Sequence, residues 1–68
     1  MRVEEVIERV ASIRERAGDD EIAHIAEDHL WYDVLCFIAY KKIDMATAST
    51  LAREALKTKE IDFSRWCG

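Results

Sequence analysis

The sequence predicts an all-α protein, a small three-helix bundle with a short C-terminal helical turn. Three observations carry that expectation. Half of the residues are hydrophobic, 35% are charged and none is proline, a composition that suits helices better than an all-β fold with its frequent turns. Apolar positions recur at steps of three and four. Glycine and acidic capping residues stand where those periodic stretches stop. At 68 residues the chain holds one domain, 1–68, and folding buries only about 60% of the surface exposed by the unfolded form, so the core is small.

In the first stretch Val3, Val6, Ile7, Val10, Ile13 and Ala17 share one helical stripe, and Glu4, Glu5, Glu8, Arg9, Ser12, Glu15 and Arg16 occupy the opposite side. Glu5 and Arg9 form a favourable i, i+4 pair. Gly18 is placed to close this helix in a left-handed conformation, so the first helix is expected over residues 2–17.

Asp19 and Asp20 offer capping oxygens to a second helix, and with Glu21 they complement the positive end of its dipole. That helix is expected to reach Lys41 and Lys42, about 22 residues or roughly 33 Å. Asp44 caps a third helix whose apolar side, Met45, Ala48, Leu51, Ala52, Ala55 and Leu56, is mostly small and permits close approach of a neighbour. Beyond Lys57, Asp62 is placed to cap a single final turn. Ile61 before it and Trp66 four positions inside it form a hydrophobic staple, and Ile61, Phe63 and Trp66 anchor the tail.

The second helix is unusual. On a wheel, Ile22, Ala26, His29, Asp33, Cys36, Phe37 and Tyr40 fall on one side, while Trp31, Val34, Leu35 and Ile38 fall nearly opposite. From Leu30 to Tyr40 it is apolar almost all round. Either the helix runs through the middle of a closed monomer, or Trp31, Leu35 and Ile38 stay partly open as a contact for a second copy or for another protein. The leading expectation is a non-enzymatic protein-interaction module, with a homodimer as one form of it and those three residues as the partner-binding patch.

Two other functions are weighed against it. His24, Glu27, Asp28, His29 and Asp33 are metal-ligating residue types, with His24/Asp28 and His29/Asp33 at i, i+4 and Glu21/His24 at the Glu-x-x-His spacing of helical di-iron sites. Such a site needs carboxylates and histidines from further helices, and the first and third helices hold no histidine. The bland alternative has Asp33 bonded to His29, Tyr40 or Arg65 at the core edge, with His24, Glu27 and Asp28 solvated. No cofactor or resident metal is therefore expected. The other function is that of an acidic decoy for a nucleic-acid-binding partner, motivated by fourteen acidic residues against ten basic ones and a formal charge of −4.

The basic residues are too dispersed for a phosphate-backbone surface, so direct nucleic-acid binding is not expected. The stretch from Thr47 to Leu56 resembles the first helix of a helix-turn-helix, but the segment from Lys57 to Trp66 is too short and too weakly basic to read a groove. Cys36 and His29 share a side without an oxyanion hole or Gly-rich loop, which argues against catalysis and for Cys36 as a small buried hydrophobe. Acidic residues stand close behind Met1, where a signal peptide is basic, and no stretch nears the eighteen or so apolar residues of a membrane span. The expected location is the cytoplasm, with no membrane partner and with Cys36 and Cys67 reduced rather than joined.

Glu27-Asp28-His29-Leu30, Asp33-Val34-Leu35, Ala52-Arg53-Glu54-Ala55-Leu56-Lys57-Thr58 and Ile61-Asp62-Phe63-Ser64-Arg65-Trp66-Cys67 together resemble a group of small uncharacterised proteins of bacterial genomes and prophages. The resemblance covers residues 19–68, with Asp62, Phe63, Arg65 and Trp66 as its most distinctive part. It implies a bacterial or phage-related origin and assigns no site residue.

Overall fold

The computed structural model describes residues 1–65. They form α1 (Val3–Glu15), α2 (Asp20–Tyr40) and α3 (Met45–Leu56), followed directly by a 3-10 helix at Lys57–Glu60, with no strand among the described residues. The all-α three-helix bundle expected from the periodicity is the observed architecture. Each helix turns one stripe inward: Val6, Val10 and Ile13 from α1, Ala23, Leu30 and Val34 from α2, Leu51 and Ala55 from α3. Ile61 and Phe63 of the tail complete that core.

The helix starts follow local chemistry. Asp19 Oδ1 accepts from the Ile22 amide at 3.2 Å, and Asp44 Oδ2 accepts from the Thr47 amide at 3.2 Å, which satisfies donors that have no partner inside the helix. The Thr47 side chain and amide hold the Asp44 carboxyl below the usual carboxylate range.

Several ends differ from expectation. α1 stops at Glu15, and Arg16 to Gly18 form a turn in which the Asp19 amide donates to the Arg16 carbonyl at 2.9 Å. Gly18 does not adopt a positive φ, and a Cβ added there would meet nothing within 4 Å. Gly18→Ala is therefore expected to raise stability by about 0.4–1 kcal/mol, because alanine restricts the unfolded chain without straining the folded one. Thermal unfolding checks this: the expected shift is upward by a few degrees, and a fall would mean that the turn needs glycine. α2 ends at Tyr40, with Lys41 already extended, so neither lysine lies in its last turn. The C-terminal helical turn is present but earlier than expected. It continues α3 through Glu60 instead of starting at Asp62, and Phe63 to Arg65 are non-helical. Trp66 and Cys67 lie outside the described residues, as do the staple and the Cys36/Cys67 question that involve them.

α1 packs on α3 as well as on α2, so the three helices enclose a triangular core. α2 is consequently not the middle of the fold, which corrects one of the two arrangements read from its pattern. One whole side of it faces outward, leaving Ile25 50%, Tyr32 69% and Leu35 65% exposed. Met45 and Leu56 of the expected α3 face are exposed as well.

Candidate functional site: an apolar groove between α2 and α3

α2 and α3 form an antiparallel hairpin joined by residues 41–44. The small side chains Ala52 and Ala55 leave a depression between them, which Trp31, Val34, Leu35 and Leu56 wall off. Its volume is about 210 Å³ and its lining is apolar throughout. Small-molecule sites run to about 300–1,000 Å³ and carry a few convergent polar groups. This groove has neither the size nor the polar handles, and it suits one or two apolar side chains.

Trp31 is half-buried and held in place. Its indole Nε1 donates to the Ala55 carbonyl at 3.2 Å and to Thr58 Oγ1 at 3.1 Å, and Lys59 Nζ lies 5.4 Å from the ring centroid. Leu35 and Leu56 stand exposed on the two lips. Of the three patch residues expected from the sequence, Trp31 and Leu35 line the groove. Ile38 is half-buried and packs against the core instead.

Behind Trp31 lies an arrangement that sequence reasoning missed. Glu27 sits in the buried line of α2 and is 3% exposed, not solvated as expected. Arg65 grips it in a fork: Nε donates to Oε1 at 2.8 Å and Nη2 to Oε2 at 2.9 Å. The same guanidinium donates to the carbonyls of Thr58, Ile61 and Phe63 at 2.8, 3.3 and 3.2 Å, and stacks 3.9 Å from the Phe63 ring centroid. Burial pushes the Glu27 carboxyl up, but the Arg65 and Thr58 hydrogen bonds and the charges of Arg65 and Lys59 outweigh it and hold the carboxyl below its usual range. Arg65 is raised, first by its hydrogen bonds to Glu27. The Thr58 hydroxyl that accepts from Trp31 also helps to lower the Glu27 carboxyl. Ser64 adds a tie through its amide, which donates to Asp20 Oδ1 at 3.1 Å. The available signal was the i, i+3, i+4 spacing of Ala23, Glu27, Leu30 and Val34, which a charged member disguised.

The candidate metal residues separate. Asp33 turns to Arg9, whose Nη1 lies 2.9 Å from Oδ2, so neither His29 nor Arg65 is its ion-pair partner. His24 Nε2 lies 3.5 Å from Asp28 Oδ2. Among the described residues no three His, Cys, Asp or Glu side chains converge in a way that could hold a metal ion. Cys36 is half-buried rather than buried. Tyr32 lies one turn away, and its hydroxyl is pushed above its ordinary value, first by a hydrogen bond with Cys36. No helix among the described residues is long and apolar enough to cross a membrane. No family model, curated protein or solved structure matches the chain.

Proposed function

We propose that this chain is a non-enzymatic protein-interaction module of bacterial or prophage type, whose α2–α3 groove receives an amphipathic helix from a partner protein. The observation that supports this most is the open apolar groove itself, with Leu35 and Leu56 left in water on its lips. A monomer gains nothing from exposing two leucines around an apolar depression, whereas a helix laid along it would insert one or two apolar anchors. The charge near the groove indicates the partner's chemistry. Lys59 stands over the Trp31 ring, with its ammonium 5.4 Å from the ring centroid. Lys57 and Glu54 of the same stretch neutralise each other at 2.9 Å, which leaves Lys59 as the charge beside the groove wall. The partner helix accordingly carries acidic residues beside its apolar stripe.

Calorimetric titration with a synthetic amphipathic peptide, leucines at i, i+3 and i+7 and glutamates elsewhere, tests this reading. Saturable binding is expected, weakened about tenfold or more by Leu35→Asp or Leu56→Asp and by exchanging the peptide's glutamates for lysines. Binding that ignores all three changes would remove the groove from consideration.

A further inference from the structure

We propose that the outward side of α2 is a second interface beside the groove, on which two copies of this chain pair antiparallel. Ile25, Tyr32, Cys36 and Ala39 fall within an arc of about 60° that lies opposite the buried line through Ala23, Leu30 and Val34. Ile25, Tyr32 and Ala39 are seven residues apart, so they stay in line along the helix, with exposed Asp28 and Leu35 at the intervening positions. The arc is turned from α1, which meets α2 near the Arg9–Asp33 pair, and it borders the groove beside α3 along Leu35. Ile25 and Tyr32 are half or more exposed there, and Tyr40 at the end of the helix is 82% exposed.

Charge selects the occupant and its direction. The N-terminal end of α2 carries Asp19, Asp20 and Glu21, and Lys41 and Lys42 stand just past its C-terminal end, all exposed. A parallel pair would set acid on acid and lysine on lysine. An antiparallel pair crossing close to Tyr32 brings Glu21 of each copy beside Lys42 of the other and opposes the two helix dipoles. Such a contact is two-fold and self-complementary, so it closes as a dimer. α2 extends about 31 Å, long enough for two copies to meet along several turns. A stable interface needs about 800 Å² per partner, roughly a sixth of the 4886 Å² surface of this chain.

Light scattering coupled to size exclusion is expected to move from the 7.9 kDa chain toward twice that mass as concentration rises. Tyr32→Glu, at an exposed position, is expected to weaken the dimer about tenfold or more while leaving helicity unchanged. Glu21→Lys or Lys42→Glu alone weakens it, and the two together in one chain restore it. In a Cys36→Ala, Cys67→Ala background, Ile25→Cys chains are expected to cross-link to Ala39→Cys chains in preference to themselves. A monomer at every concentration, a dimer indifferent to Tyr32→Glu, or preferential Ile25→Cys self-linking would overturn the proposal. Leu56→Asp, on the α3 lip and off α2, weakens peptide binding and leaves the dimer intact, so either interface can fail alone.

Discussion

Arg65→Ala is expected to remove about 3–5 kcal/mol of stability, because it leaves the buried Glu27 carboxylate without its counter-charge. The whole domain holds only about 3–10 kcal/mol at the usual 0.05–0.15 kcal/mol per residue, so the loss is a large share of the total and at the low end brings the variant to its unfolding midpoint. The loss extends beyond one ion pair, since the same guanidinium bonds the carbonyls of Thr58, Ile61 and Phe63 and thereby holds the tail across α2. Replacing both partners, Glu27→Met with Arg65→Met, is expected to recover much of the loss, because no buried charge is then left alone. Urea unfolding of the two single variants and the double variant measures the cycle. A loss below about 1 kcal/mol for Arg65→Ala would mean that the pair behaves like a surface contact.

The same pair sets an acid limit. The folded-state pKa of Glu27 is depressed, so its contribution is fully present above the unfolded value of about 4.3 and disappears as pH falls through the lower folded value. Thermal unfolding should therefore weaken with acid below about pH 4. Glu27→Gln, which cannot titrate, is expected to be less stable at neutral pH and to lose that part of the acid dependence. Parallel pH curves for the two proteins would remove Glu27 as the cause.

Trp31→Ala is expected to cost about 3 kcal/mol, whereas Leu35→Asp changes stability by less than about 0.5 kcal/mol. Both side chains wall the groove, but they stand differently toward the fold. Trp31 packs against the core, and its indole proton satisfies Ala55 and Thr58 at the start of the 3-10 helix. Leu35 is 65% exposed and leaves little to lose on truncation. Circular dichroism melts separate the two. A Leu35→Asp variant that unfolds would make the lip part of the core and would count against the groove as a docking surface.

The helices were legible in the sequence because the determinants of each are local. Val6, Val10 and Ile13 repeat with the helical period, and Asp19 and Asp44 reach their own N-terminal amides within three residues. The apolar excess of α2 was legible too, as was the membership of Trp31 and Leu35 in the unusual surface. Helix ends were less so. The left-handed cap at Gly18 and the turn after Asp62 were plausible local solutions that the observed chain does not use. At the tail, an extended Ile61 and non-helical backbone through Arg65 let Ile61 and Phe63 enter the core and bring Arg65 to Glu27, a gain that no local rule registers.

By itself the sequence determined an all-α chain, the approximate extent of its three helices, the caps on two of them and the presence of more apolar surface on α2 than one helix neighbour can cover. Only the tertiary structure decided where that surface goes. Because α1 and α3 touch each other, they cannot also enclose α2, and its outer side is left in water. Likewise only the fold decided that Glu27 is buried and that Arg65, 38 residues later, is its partner rather than Asp33's. Ion pairs between distant residues depend on where the backbone returns, and no periodicity in one segment encodes the position of another.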